Sequence, residues 1–227
     1  MSCENEVVNR MPLIGDKCPE FEAVTTQGNI KFPQDYRGKW IVFFSHPADF
    51  TPVCTTEFMT FAYRSKELSD INTELVGLSV DSLPSHIAWL RKIQEIEWKG
   101  MKGVEVKFPL IEDLSTKVAS KFGMIQANQS GTQTVRAVFI IDPKGIIRLI
   151  MYYPLSTGRN FNEIKRAVMA LQKADKDQCA TPMDWQPGDD TIIPTAGSCG
   201  VAKERMESKD ESKYCIDWFL CFNREKK

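Results

Sequence analysis

Cys54 lies where chemistry is most readable in this chain. It closes the segment that begins at His46 and contains Pro47, Thr51 and Pro52, and Glu57 follows it three residues later. A strongly apolar run from Trp40 to Phe44 precedes the segment, and Phe58, Phe61, Ala62 and Leu68 follow at near-helical spacing. The cysteine therefore sits where a buried strand hands over to a helix. Thr51 followed by Pro52 reads as an N-cap and a proline at the first helical position, which puts Cys54 in the first turn. Unpaired backbone N–H groups and the positive end of the helix dipole favour a thiolate there. The thiolate is the nucleophilic form. The plainer account of a lone cysteine near a helix start is a small buried side chain. Cys54 has no Cys-x-x-Cys partner, so it is not half of a thioredoxin-type dithiol.

The string Pro47-x-x-x-Thr51-x-x-Cys54, continued by Glu57, resembles the active-site signature of the peroxiredoxins, the thiol peroxidases. The segment from Thr134 through Arg136 to Asp142 and Pro143 is similar to the one that supplies that family's active-site arginine. Thr181 to Trp185, followed by Gly188, Asp189 and Asp190, resembles the carboxy-terminal region of the one-cysteine branch. His46, where the typical two-cysteine branch commonly has tyrosine, points the same way. The likeness runs from about Pro12 to Leu220.

This resemblance implies an enzyme that reduces hydrogen peroxide and organic hydroperoxides. Cys54 would attack the peroxide and become a sulfenic acid. Thr51 would hydrogen-bond the bound peroxide, and Pro47 would shield the thiolate from water. Arg136 would orient the peroxide and hold negative charge on the sulfur. Glu57 would pair with that arginine and orient it. His46 is expected near the thiol, hydrogen-bonding sulfur or substrate. Most of these residues have a plainer role as well: helix cap, turn proline, exposed helix glutamate, satisfied strand-end histidine. Arg136 is the exception, because an unpaired charge in an apolar strand is costly to bury. His86 is assigned to packing or surface.

Cys215 and Cys221 form a second signal. They resemble the arm of archaeal-type thioredoxin peroxidases, which carry two cysteines at this spacing after an Arg-Met-Glu-Ser segment, here Arg205 to Ser208. Residues 209–214 look slightly longer than in that group. The resemblance implies that Cys215 resolves the Cys54 sulfenic acid, in a partner subunit, as a disulfide. Cys221 would then exchange with it or receive the reductant, and Trp218 and Phe219 would anchor the arm. The alternatives are a one-cysteine enzyme reduced by an external thiol, and a redox-gated chaperone or scaffold. Cys179 is a weaker candidate for the resolving thiol; Cys3, Cys18 and Cys199 have no informative context. The family further implies a thiol reductant, thioredoxin-like or other, and a homodimer assembling into a decamer. Mammalian-type one-cysteine members carry a lipase-like Gly-x-Ser-x-Gly sequence. The corresponding stretch, residues 36–40, has no serine, so no phospholipase activity is expected.

Several elements must position these residues. Short strands are expected at 21–24 and 30–32, a buried strand at 39–45 and the catalytic helix from 53 to about 71. A central parallel strand at 74–80 follows, then a helix over 84–97 with Ile87, Leu90 and Ile93 on one side. A strand at 108–111 and a short helix at 115–122 ending at Gly123 come next. Strands at 134–141 and 146–153 flank a turn from Asp142 to Gly145, and an amphipathic helix covers 162–171. The order is that of an α/β fold with a mixed central sheet. The family resemblance sharpens this to a thioredoxin-like fold. Beyond about 176 prolines, glycines and a charged run over 203–213 read as an extended carboxy-terminal arm. The expected division is a peroxidase domain at 1–175 and an arm at 176–227.

Composition sets outer bounds. The chain has 227 residues, 42% of them hydrophobic, enough for a sizeable core. With 29 basic and 30 acidic residues, no nucleic-acid or membrane-surface partner is expected. Arg224, Lys226 and Lys227 read as solvated surface. No apolar run approaches ~18 residues, and no signal core is seen, so a cytoplasmic protein is expected. Seven cysteines then suggest catalytic or inert thiols rather than a static disulfide framework. The spacings of Cys and His fit no zinc pattern, and no metal or other cofactor is expected.

Overall fold

The computed structural model describes residues 10–225. Cys3, Lys226 and Lys227 lie outside them. Two compact units are present, divided between Phe161 and Asn162.

The first unit holds a seven-stranded sheet. Its strands are β1 (Phe21–Thr25), β2 (Gly28–Phe32), β3 (Trp40–Ser45), β4 (Thr73–Ser79), β5 (Leu110–Glu112), β6 (Arg136–Ile141) and β7 (Ile147–Tyr153). Their order across the sheet is β2-β1-β5-β4-β3-β6-β7. β4 runs parallel to both β3 and β5, while β6 is antiparallel to β3 and β7. The sheet is thus mixed, as the sequence pattern predicts.

Every residue of β3 and β6 is buried. A strand covered on both faces needs no polar alternation, which is why these segments read as unbroken apolar runs. Successive β3 side chains still point to opposite faces. Phe43 meets Phe32 and Phe122, with ring centroids 4.9 and 5.0 Å away. Phe44 meets Phe58 and Phe61 at 5.6 and 4.6 Å. Close packing leaves little room at Gly77 of β4, where an added Cβ would lie 3.1 Å from Leu110 Cδ1 and 3.2 Å from Phe44. Gly77→Ala is expected to lower unfolding stability by about 1–3 kcal/mol. A urea midpoint equal to wild type would contradict that packing.

The helices of this unit are α1 (Pro52–Tyr63), α2 (Ser65–Ser69), α3 (Leu83–Glu95) and α4 (Lys117–Lys121). The catalytic helix expected as one piece breaks at Arg64 (φ −104°, ψ 7°). Ser65 donates its hydroxyl back to the Ala62 carbonyl (2.9 Å), a local bond that competes with the helical ladder. Ile87 also departs from expectation. It is exposed, and the buried face of α3 is His86, Trp89, Leu90 and Ile93. Those positions recur at helical spacing, and Ile87 falls about 100° to one side of them.

The second unit begins with most of α5 (Phe161–Asp177), which extends beyond the expected end at 171 and contains the 175/176 position. It continues through β8 (Thr191–Ile192), α6 (Cys199–Glu207), β9 (Lys213–Asp217) and β10 (Leu220–Asn223). The strands form a small sheet in the order β8-β10-β9. Lys173 of α5 pairs with Glu225 (2.7 Å), and Arg166 donates to the Trp185 carbonyl (3.4 Å). Tyr214 stacks on Phe222 at 5.0 Å. Trp185 is buried, whereas Trp218 and Phe219 are exposed. Among the described residues no helix is long and apolar enough to cross a membrane.

Candidate active site

The strand-to-helix turn forms where β3 ends at Ser45 and α1 begins at Pro52. Thr51 is the N-cap residue by backbone conformation, with proline next, but its side chain makes no cap hydrogen bond. Its hydroxyl donates instead to the Ala48 carbonyl (2.8 Å). The first intrahelical bond is donated by the Thr55 amide to Thr51 O (3.0 Å). The amides ahead of it lack helical acceptors and add positive potential around Cys54. Cys54 has no exposed surface, and Pro47 is also buried.

Arg136, the first residue of β6, reaches this turn from the neighbouring strand. Its Nη1 donates to Cys54 Sγ (3.2 Å) and to Glu57 Oε2 (2.9 Å). Its Nε and Nη2 both donate to the Leu155 carbonyl (3.0 and 2.7 Å). Ser45 fixes the strand on either side of this residue, donating to Val135 O (2.6 Å) and accepting from the Ala137 amide (3.2 Å). The guanidinium is held through its whole fork, with one nitrogen committed to the sulfur.

Glu57 accepts from Arg136, the pairing that the resemblance implies. Arg159, not singled out in the sequence, holds it more fully. The Arg159 amide, Nε and Nη2 donate to Glu57 at 2.8, 2.9 and 2.6 Å. Its Nη1 donates to the Ser45 and Ala137 carbonyls (2.8 and 3.0 Å). Its guanidinium also lies over the Phe44 ring, 5.0 Å from the centroid. Burial works to raise the Glu57 pKa, but the charge and hydrogen bonds of Arg159, with the charge of Arg136, hold it below the ordinary value. Two arginines thus share one carboxylate. No local spacing marks Arg159 in the sequence, since its partner Glu57 lies 102 positions away.

His46, at the end of β3, takes the plainer of its two roles and has a partner of its own. No hydrogen bond joins it to Cys54. Its Nε2 faces Asp49 Oδ1 at 3.0 Å, and its Nδ1 is buried without a partner. The ring stacks on Trp89 (centroids 5.0 Å) and meets Phe58 edge-on (4.7 Å). Burial lowers its pKa, partly opposed by the hydrogen bond to Asp49, so the neutral ring carries its proton on Nε2. His86 is buried in the same network rather than on the surface. Its Nδ1 lies 2.9 Å from Asp49 Oδ2, and Ser85 donates to the same oxygen (2.8 Å). For Asp49, burial acts to raise the pKa, but the hydrogen bonds and charges of His46 and His86 prevail and lower it. The Asp49 amide donates to Asp81 (3.0 Å). These bonds pin the loop beside Phe50, a bulky residue held at φ 55°, a conformation that persists only where its surroundings enforce it. His46, Asp49 and Asp81 also place possible metal-ligating atoms within 4.8 Å of one another. The Asp49 oxygens already accept from His46, His86 and Ser85, and Asp81 accepts from Asp49 and Ser79. The cluster therefore has an internal role in holding the loop.

In the second unit Cys215 and Cys221 form a disulfide, with Cα atoms 4.0 Å apart on paired strands. Cys18, Cys54 and Cys179 are free and buried, and Cys199 is free and exposed. Burial pushes the Cys18 thiol up to about 12, which makes it a poor nucleophile.

Comparison with known proteins agrees with this geometry. Residues 14–150 match the AhpC/TSA family, and residues 170–209 match the C-terminal domain of 1-Cys peroxiredoxin. A peroxiredoxin of Methanosarcina mazei is 62% identical over 216 residues, covering 95% of this chain and 99% of the relative. The solved structure of a yeast mitochondrial 1-Cys peroxiredoxin superposes with a TM-score of 0.82 at 41% identity, covering 95% of this chain and all of that one. A reduced 2-Cys peroxiredoxin of Plasmodium vivax superposes with a TM-score of 0.71 at 26% identity, covering 81% of this chain and 95% of that one. With Cys54, Arg136 and Glu57 joined at one turn and the family match spanning most of the chain, this protein belongs to the peroxiredoxins and is a thiol peroxidase.

Proposed function

We propose that the protein reduces hydrogen peroxide and organic hydroperoxides by a two-cysteine cycle using Cys54 and the arm pair Cys215 and Cys221. The observation that carries this reading is the Arg136 guanidinium on the buried Cys54 sulfur at 3.2 Å. The thiolate attacks one peroxide oxygen, the O–O bond breaks, and the departing oxygen takes up a proton to leave as water or alcohol. Arg136 and the free amides of the first helical turn stabilise charge on sulfur and oxygen through that step. The Thr51 hydroxyl, already donating to Ala48, keeps its oxygen as an acceptor for the peroxide O–H. Pro47 excludes water from the sulfur. Glu57 orients Arg136, and His46 acts through Asp49 as a positioning residue for the loop.

Cys54 then carries a sulfenic acid. Because the sulfur is wholly buried, it meets a second thiol only after the first turn of α1 opens. Cys215 of the partner subunit in a homodimer attacks it, a disulfide forms and water leaves. Cys221 next attacks Cys215, so the oxidation rests as the Cys215–Cys221 disulfide and Cys54 is freed. The pairing in the arm supports this second exchange. The arm at 176–227 thus carries the resolving chemistry for the domain that precedes it. A thiol reductant closes the cycle.

The test is intact mass and non-reducing gel mobility after one equivalent of peroxide. Wild type is expected to end with the arm disulfide and free Cys54. Cys221→Ser is expected to stop at a disulfide-linked dimer. Cys215→Ser is expected to stop at a Cys54 sulfenic or sulfinic acid. Sulfenic acid without any disulfide in all three proteins would mean a one-cysteine enzyme reduced by an external thiol.

A further inference from the structure

A sulfenic acid at Cys54 has two fates. A second peroxide converts it to a sulfinic acid while the turn around it stays closed, and a thiol reaches it once the turn opens. What holds the turn shut at that stage sets the ratio of the two. Residues 52–56 surround the sulfur. Among the described residues, two hydrogen bonds tie their side chains to other elements. Arg136 of β6 donates to Cys54 Sγ (3.2 Å), and Nε1 of Trp89 on α3 donates to Thr55 Oγ1 (3.3 Å). The first is charge-assisted on both sides while the sulfur is a thiolate. A protonated sulfenic acid has lost that charge. The Trp89–Thr55 bond contains no group that oxidation at Cys54 alters, so it keeps its strength when the arginine contact weakens.

The Thr55 hydroxyl is committed in both directions. It donates to the Thr51 carbonyl (2.8 Å), which also accepts from the Thr55 amide (3.0 Å). A lone pair therefore faces Trp89, whose indole nitrogen can only donate. Trp89 is 1% exposed, with its ring against His46 (5.0 Å) and Phe58 (4.6 Å). Through one hydroxyl, the residue after the sulfur and the carbonyl of the helix cap are joined to a fixed point on α3. Thr55 itself is half-buried, so opening the turn frees its hydroxyl to water and parts it from the indole.

We propose that Thr55 and Trp89 are positioning residues for the peroxidase reaction, a staple between α1 and α3 that holds the first turn closed and sets how readily Cys54 is over-oxidised. This rests on the reading that the buried sulfur meets a second thiol only after that turn opens. In the closed state the sulfenic acid takes an oxygen from hydrogen peroxide, and water leaves. In the open state its sulfur bonds the thiol sulfur, and its hydroxyl leaves with the thiol proton as water. Removing the Thr55 hydroxyl also strands the buried indole N–H in the closed state alone, which moves the balance further towards opening.

The experiment uses the full chain as wild type, Thr55→Val, Thr55→Ser, Trp89→Phe and the double variant Thr55→Val with Trp89→Phe. Hydrogen exchange of the amides of residues 55–58, read by mass against β6 as internal reference, reports opening. The sulfinic fraction of Cys54 is read by mass during turnover of hydrogen peroxide with dithiothreitol. Thr55→Val and Trp89→Phe are expected to exchange the turn about fivefold faster and to need about fivefold more peroxide for the same sulfinic fraction. Thr55→Ser restores the hydroxyl and is expected to match wild type. The double variant is expected to go no further than either single one, since both remove the same bond. The first oxidation of Cys54 in Thr55→Val is expected to stay within about twofold of wild type, because the staple acts on opening and not on attack. Unchanged exchange in Thr55→Val, or additive effects in the double variant, would overturn the staple. Faster exchange with an unchanged sulfinic fraction would overturn its part in over-oxidation. A wild-type turn that exchanges no faster than β6 would instead sink the reading that the turn opens locally, and this inference with it.

Discussion

Arg136→Met is expected to slow oxidation of Cys54 by hydrogen peroxide about 10²–10³-fold, and Cys54→Ser is expected to remove it. Attack places new charge on the departing oxygen while the sulfur loses its own. The Arg136 guanidinium is the cation hydrogen-bonded to that sulfur, at 3.2 Å, and its other nitrogens are anchored to Leu155. It is therefore in place before the transition state and needs no reorganisation. Arg136→Lys is expected to recover little, since one ammonium cannot serve sulfur, Glu57 and Leu155 with the same planar fork. Folding is expected to survive, because Glu57 keeps its three bonds from Arg159. Stopped-flow measurement of the first oxidation separates this step from recycling. A rate within twofold of wild type in a folded Arg136→Met protein would remove the arginine from the mechanism.

What could be read in advance was local or strictly patterned. The proline-threonine-cysteine spacing lies within one turn, so its placement follows from a helix start. The apolar runs of β3 and β6 mark a sheet covered on both faces. What could not be read depends on distant pairing. Arg159 meets Glu57 across 102 positions, and His86 meets Asp49 across 37. Neither pair has a local spacing, since tertiary packing alone brings them together. His46 shows the same limit from the other side. The family resemblance points it to the sulfur or substrate, but a partner three residues on, Asp49, takes its Nε2. Within the arm, short strands, a disulfide and the Lys173–Glu225 pair supply order that its prolines, glycines and charged run do not reveal.

The Asp49 network is expected to make the protein sensitive to both mutation and acid. The Asp49 side chain is 1% exposed and accepts from His46, His86 and Ser85. Asp49→Ala leaves those buried groups without their acceptor, and breaking such a network costs about 3–5 kcal/mol. Asp49→Asn retains one carbonyl oxygen and is expected to cost less. The pH dependence follows from the direction of each shift. His46 has a lowered pKa in the fold, so below about 6.5 the unfolded chain binds a proton that the folded chain refuses. Stability therefore falls as pH drops through that value toward the lower folded pKa. Asp49 and Glu57 also have lowered values. Their contributions are whole above about pH 4–4.5 and disappear as pH falls through their folded pKa values. Urea unfolding of wild type is expected to weaken gently below pH 6.5 and more steeply below pH 4.5. His46→Asn is expected to reduce the first decline and leave the second. Asp49→Ala within 1 kcal/mol of wild type at pH 7, or a wild-type midpoint flat from pH 7 to 5, would show that this network does not hold the loop over Cys54.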